Sequence, residues 1–177
     1  MKWIIAGVIL AGILSALSKD KFRADIMLRK IEILIGMDKI EEALENLDLF
    51  IQINPDLFEG YHLKFLILIE NNRLQEAQQI LQSAMAMFPE DEGFLFDKVI
   101  LFEEQQKIQE ALEILETVFK NNNSKIVLNE KAKIYLSQNE VQKAKNTLKQ
   151  IIDLNKDEFN EDSSFYLIMI YISENDY

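Results

Sequence analysis

The chain has 177 residues, of which 49% are hydrophobic, and it contains 5 glycines, 2 prolines and no cysteine. This composition excludes a disordered linker and a disulfide-stapled fold, and it predicts one ordered, mostly helical chain. The formal net charge of −11 argues against nucleic acid as a partner, because a nucleic-acid surface needs a basic stripe, and it favours basic partners instead.

The first element in chain order is an uncharged stretch, residues 3–17, with the sequence WIIAGVILAGILSAL. At about 1.5 Å per residue a helix of this stretch reaches about 22 Å, which is short of a hydrocarbon core of about 30 Å. The flanking basic side chains can extend toward the headgroups and make up the difference; they are Lys2, Lys19, Lys21 and Arg23. We therefore predict an N-terminal hydrophobic helix over residues 1–21 that anchors the chain in a membrane.

Two alternatives to a retained anchor stay open for this stretch. Ala16, Leu17 and Ser18 form a small-residue site at which a secretory signal is cleaved, so the mature protein is then secreted or periplasmic. A buried globular helix is the other alternative. For an anchor, the excess of basic residues just after it places the rest of the chain on the cytoplasmic face, as a single-pass membrane protein.

An alanine recurs through the rest of the chain at intervals of 34, 34 and 33 residues, in the phrases IEEAL, LQEAQ, IQEAL and VQKAK. These alanines are Ala43, Ala77, Ala111 and Ala144. A period of this size is typical of one helix-turn-helix unit that stacks on copies of itself. A methyl side chain allows two helices of a unit to approach closely.

Two further columns accompany the alanines and lie on the same helical face. A leucine follows four residues after each alanine, and three residues later come Phe50, Ala84, Val118 and Ile151. This pattern resembles the second helix of the tetratricopeptide repeat family, and the resemblance covers about residues 24–157. The first helices depart from the family, which prefers glycine or alanine where this chain has Ile31, Phe65 and Val99.

The resemblance implies an all-α fold: a right-handed solenoid of four helical hairpins and a C-terminal half-repeat, after the N-terminal hydrophobic helix. The repeat domain covers 22–177, with units at about 22–56, 57–91, 92–124 and 125–160 and a half-unit at 161–177. The first helices are expected at about 22–36, 57–70, 92–105 and 125–138. The second helices are expected at about 40–53, 74–87, 108–120 and 141–153.

The resemblance also implies that the protein is an interaction scaffold, because family members hold ligands against an inner face formed by the first helices. Matching columns predicts a partner groove at Leu28, Glu32, Ile35, His62, Leu66, Ile69, Phe96, Ile100, Glu103, Asn129, Lys133 and Leu136. Its apolar and acidic character suits an apolar or basic-apolar segment of a partner protein. For Leu66 and Ile100 a plain core position is the alternative. A lysine column at Lys30, Lys64, Lys98 and Lys131 is interpreted as a solvated ridge.

The final segment is an apolar run from residue 165 to residue 172. A helix that is apolar on all sides requires cover on all sides. We predict possible self-association there, through Phe165, Tyr166, Ile168, Met169 and Ile172. The alternatives are a partner protein, folding back on the fourth unit, or a structural homo-oligomer whose groove stays empty.

Candidate chemistry is sparse in this sequence. His62 is the single histidine, and with Glu59 it forms one Glu-x-x-His pair, whereas helical di-iron sites need two such pairs and further carboxylates. No glycine-rich phosphate loop and no serine nucleophile motif occurs. We therefore expect no catalytic residue, no metal and no cofactor, and we interpret the protein as a non-enzymatic scaffold.

Overall fold

The computed structural model describes residues 21–154, and within that range every regular element is an α-helix. Eight helices follow one another there, joined by short turns. They are α1 (21–36), α2 (Ile40–Ile53), α3 (Phe58–Glu70), α4 (Leu74–Met87), α5 (Gly93–Glu104), α6 (Ile108–Asn122), α7 (Lys125–Ser137) and α8 (Val141–Leu154).

The all-α fold class predicted from the repeat period is confirmed, and each observed helix lies within two residues of its expected bounds. The predicted N-terminal hydrophobic helix and the predicted half-repeat at 161–177 lie outside the described residues. Within residues 21–154, none of the helices combines the length and the hydropathy that a bilayer crossing requires.

The recurring alanines lie in the core, each with 0% of its surface exposed. Their companions four and seven residues later are buried as well, from Leu47 and Phe50 in α2 to Leu148 and Ile151 in α8. The first helices contribute Ile31, where the family prefers a smaller residue, and that side chain is also fully buried. The periodic small and large residues thus place one face of every described helix in the interior.

The structure divides the chain into two compact units, Met1–Phe94 and Leu95–Tyr177. In the first unit, α2 packs on α3 and α3 packs on α4. Helices α2 and α3 approach closely at Gly60 in α3, where an added Cβ would lie 2.6 Å from the ring of Phe50 in α2. Phe58 packs against Phe94, the last residue of this unit, with ring centroids 4.8 Å apart. Phe88 also lies near Phe94, with centroids 5.8 Å apart, so the three rings form an aromatic cluster.

In the second unit, α6 packs on α7 and α7 packs on α8. One core cluster joins Ala111, Leu115 and Val118 of α6 to Val127 and Ile134 of α7, together with Val99 of α5. A second cluster joins α7 to α8; its buried members are Leu128, Ala132, Leu148 and Ile151.

Each turn from a first helix to a second helix contains one residue in the left-handed conformation. These residues recur at the same period as the alanines: Asp38, Asn72, Gln106 and Asn139, with φ between 56° and 61°. In the first turn, the N–H of Lys39 donates to the carbonyl of Leu34 at 2.9 Å, and the N–H of Asp38 donates to that of Ile35 at 2.9 Å. This is the Schellman pattern, which satisfies the last carbonyls of the first helix.

Gln106 is the least suited of these four residues to a left-handed backbone, because asparagine and aspartate tolerate it better and glycine adopts it without steric strain. We expect Gln106→Gly to raise the free energy of unfolding by about 0.5–1 kcal/mol. Urea titration followed by far-ultraviolet circular dichroism measures this change. The control is Gln105→Gly, whose φ is not positive; an equal gain there contradicts the explanation.

Candidate partner-binding surface

Of the twelve predicted groove residues, six lie on α1 and α3 in the first unit and six lie on α5 and α7 in the second unit. In the structure none of them is fully buried: Glu32 and Lys133 are exposed, and the others are half-buried. Because half-buried side chains are held in place by the core yet still reach solvent, such a face is suited to binding. The assignment of these residues to a binding surface stays a prediction.

In both α3 and α5, a buried residue is followed in the sequence by a predicted groove residue. Phe65 and Val99 are buried, and each is followed at once by a predicted groove residue, Leu66 and Ile100. Both of these followers are half-buried, so they lie at the edge of the core. In both α3 and α5, two adjacent residues therefore belong one to the core and the other to the predicted surface.

In the first unit, the predicted residue Leu28 borders a cleft of about 640 Å³. Residues from the start of α1, the end of α2 and the start of α3 line the cleft, among them Ala24, Ile53 and Leu57. His62 lies on α3, where its ring stacks on Phe58 with centroids 5.2 Å apart and planes inclined by 19°. Glu32 forms an exposed ion pair with Arg29 on the same helix, at 3.7 Å.

The described part of the chain contains no group of three or more His, Asp or Glu side chains that is placed to hold a metal ion. The predicted self-association residues, from Phe165 to Ile172, lie outside residues 21–154.

In the second unit, charges from α5 and α7 meet on the predicted face. Burial raises the pKa of the Glu103 carboxyl, and the nearby carboxylates of Glu130 and Glu104 raise it further, while Lys133 opposes the shift. Lys133 itself lies 2.8 Å from Glu130, measured from Nζ to Oε1. The structure thus brings two predicted residues, Glu103 and Lys133, together with Glu130, which the column matching missed.

The raised pKa of Glu103 predicts the direction in which the free energy of unfolding changes with pH, and stability measurements can check it. A carboxyl whose pKa is higher in the folded state than in the unfolded state loses stabilisation as pH rises through that folded pKa. We expect Glu103→Gln to stabilise the protein at pH 7, and the gain to shrink as pH falls through the ordinary Glu pKa of about 4.3, because the carboxyl then becomes protonated in both states.

Chemical denaturation of both proteins at pH 7 and at pH 3.5 measures the effect of Glu103→Gln. Glu113→Gln is the matched control, because Glu113 is exposed on α6. A loss of stability in Glu103→Gln at pH 7, or a gain that persists unchanged in acid, contradicts the assignment.

The lysine column differs from the solvated ridge predicted for it. That prediction is wrong for Lys131, which is buried and pairs with Glu116 of the preceding helix α6. Lys64 likewise pairs with Asp48 of the preceding helix α2. Lys98 instead lies over the ring of Phe102 on its own helix, 5.6 Å from the centroid. The signal for these pairs in the sequence is an acidic residue 15 or 16 positions before the lysine.

Comparison with protein families matches two tetratricopeptide repeat models, one to residues 68–125 and the other to residues 127–158. A search of curated proteins finds no match. Among solved structures, the chain is similar to a fragment of MamA from Desulfovibrio magneticus, with a TM-score of 0.59 and 16% identity. That alignment covers 86% of this chain and 86% of the other.

Two further solved structures are similar. A thermophilic tetratricopeptide repeat protein from Thermus thermophilus aligns with a TM-score of 0.64 and 14% identity over 80% of this chain and 78% of the other. YrrB, described as a tetratricopeptide repeat protein with an unusual peptide-binding site, aligns with a TM-score of 0.52 and 13% identity. The alignment with YrrB covers 84% of this chain and 76% of the other. At identities this low, the structural similarity shows a shared fold alone.

Proposed function

We propose that this chain, which belongs to the tetratricopeptide repeat family, whose repeats serve as protein–protein interaction scaffolds, holds a partner polypeptide on the predicted groove residues of its first helices. The proposal is for binding alone, without catalysis. The description of one structural neighbour, YrrB, names a peptide-binding site, and this supports a peptide segment as the kind of ligand.

The observation that carries the proposal is the chemistry of the second unit. Phe96 and Ile100 of α5 are apolar and half-buried, and one turn later comes Glu103, whose pKa burial and Glu130 raise. A carboxylate in such surroundings is stabilised when a cation approaches it. The face therefore suits a segment that buries apolar side chains against Phe96 and Ile100 and places a lysine or arginine near Glu103.

A photo-crosslinking amino acid in place of Phe96, used in the cells that make the protein, tests this proposal. We expect one or a few proteins to be crosslinked, and the crosslinked peptides to contain a basic residue near apolar ones. The control carries the same amino acid in place of Glu113, which is exposed on α6. Equal capture from both positions, or capture from neither, contradicts binding on this face.

We further propose that residues 3–17 hold the scaffold at a membrane, with the repeats on the cytoplasmic face. The support for this is the uncharged sequence of the stretch and the basic residues around it. Alkaline extraction of membranes tests the anchor, and sequencing of the mature N-terminus tests its retention. Release of the protein into the alkaline supernatant, or a mature chain that begins near Ser18, contradicts an anchor.

A further inference from the structure

Helix α1 exposes a stripe of large apolar side chains. Phe22, Ile26, Ile33 and Met37 are 67%, 53%, 62% and 60% exposed, respectively. Phe22, Ile26 and Ile33 lie on one side of α1, since spacings of four and seven residues repeat its turn, and Met37 follows in the turn that ends the helix. We call these four residues the α1 stripe. A group of exposed apolar side chains marks an interaction surface more often than a single one does.

The repeat period shows what happens to the same positions in later first helices. Ile33 corresponds to Ile67, Leu101 and Ile134, at the intervals of 34, 34 and 33 that separate the alanines. These three counterparts are at most 3% exposed. The counterparts of Ile26 are Gly60, Phe94 and Val127, and all of them are buried. At the positions of Ile26 and Ile33, α1 is thus the one described first helix whose side is open. The counterparts of Phe22, by contrast, are exposed in every described repeat; they are Asp56, Glu90 and Asn123.

Within each unit, the structure shows what covers this face when it is covered. In the first unit it is α2, whose Phe50 ring lies against Gly60 of α3 and whose Asp48 pairs with Lys64. In the second unit it is α6, whose Leu115 and Val118 pack on Val127 and Ile134 of α7.

The α6–α7 contact carries an ion pair as well, between Glu116 of α6 and Lys131 of α7. Both coverings are therefore amphipathic second helices that combine apolar side chains with one carboxylate opposite a lysine. The corresponding lysine on α1 is Lys30.

We propose that the α1 stripe is a docking face for an amphipathic helix of another protein, with a carboxylate placed opposite Lys30. Lys30 is exposed and donates one hydrogen bond to Asn46, at 2.7 Å from Nζ to Oδ1. An ammonium group has three donors, so Lys30 keeps the capacity to bind a carboxylate as well. Arg29 beside it already pairs with Glu32 on α1, so Lys30 is the cation that would face an acidic helix.

Charge also favours this occupant over two others, namely residues 3–17 of the same chain and a second copy of the chain. Residues 3–17 contain no carboxylate, and the position one repeat before Asp48 is Leu14, so this stretch offers Lys30 no ion pair of the kind that Lys64 and Lys131 make. A second copy that docks its own α1 against this one presents its own Lys30, a cation, where the proposed partner presents a carboxylate.

A synthetic peptide with the sequence of α6, residues 108–122, is a defined probe for this face, because α6 already covers the corresponding face of α7. Fluorescence anisotropy with the full chain measures its affinity. We expect binding that weakens by about tenfold or more in the protein variant Ile33→Asp, since a charge is then placed within the apolar contact. A peptide with Glu116→Lys is expected to weaken similarly, because it sets a cation against Lys30.

Absence of peptide binding, or binding that Ile33→Asp leaves unchanged, overturns the proposal. Thermal unfolding separates the remaining alternatives. Ile33→Asp alone is expected to keep the melting temperature of the parent, whereas Ile67→Asp, at the buried counterpart, is expected to unfold the protein or lower its melting temperature strongly. A large loss in Ile33→Asp means that the chain itself already covers the stripe, and this overturns the proposal.

Sedimentation of the full chain tests the second copy as occupant. We expect Ile33→Asp to leave the mass of the particle unchanged. A dimer that this substitution dissociates means that a second copy occupies the α1 stripe, and the partner helix is then the wrong occupant.

Discussion

Replacing Phe50 with alanine is expected to lower the free energy of unfolding by about 3–5 kcal/mol. Phe50 is the large residue seven positions after the first alanine of the repeat, and its ring is 0% exposed. It lies at the close approach of α2 to α3, where Gly60 leaves no side chain to fill the space that the ring vacates. The substitution therefore leaves a cavity between the two helices, and urea titration measures its effect.

The neighbouring residue is the matched control for Phe50→Ala. Leu49 belongs to the same helix but is 48% exposed, so it contributes less buried surface. We expect Leu49→Ala to lower the stability by about 1 kcal/mol or less, because little cavity forms at a half-exposed site. Similar losses for the two substitutions would show that the ring of Phe50 does not lie in the interface between α2 and α3.

The second large effect is expected from filling the small position of the repeat. Ala77 of α4 is 0% exposed, so any larger side chain at this position enters the packed interior. We expect Ala77→Leu to destabilise the protein by about 1–3 kcal/mol or more, because a well-packed interior accepts extra methylenes only by shifting side chains or backbone. Equilibrium unfolding in urea measures the loss.

The control for Ala77→Leu lies on the same helix. Ala86 is exposed near the end of α4, so Ala86→Leu adds the same three carbons without entering the core. We expect its effect on stability to stay within about 0.5 kcal/mol. A tolerated leucine at position 77 would mean that the recurring alanine is not required for close packing, which is the physical basis of the repeat assignment.

The helices and their order could be predicted from the sequence because repetition multiplies a weak local signal. One alanine followed by Leu47 and Phe50 says little, but the same spacing in four places requires four similar helices. The bounds of α2 and α4 were predicted to the residue for this reason. The prediction for α6 ended two residues early, and its observed end is Asn122, followed by Asn123 in the left-handed conformation.

The candidate surface was predictable only in part. Helical periodicity placed Phe96, Ile100 and Glu103 on one face of α5, since residues four and three apart lie together. It could not show that Glu130 of α7 comes near Glu103, because that proximity depends on how two helices pack. The four left-handed turns were missed as well, since the residues there differ in type and a backbone conformation leaves no hydrophobic pattern.

The period of the chain alone determined the fold class, the number of described hairpins and the side of each helix that faces the core, because these follow from local spacing repeated along the sequence. The tertiary structure alone decided which sides of the helices remain open. Ile33 and Ile67 are both isoleucines at equivalent positions of the repeat, yet Ile33 is exposed and Ile67 is buried. Burial of a side chain depends on whether another helix packs against it, and the sequence of one helix does not show which helix does so.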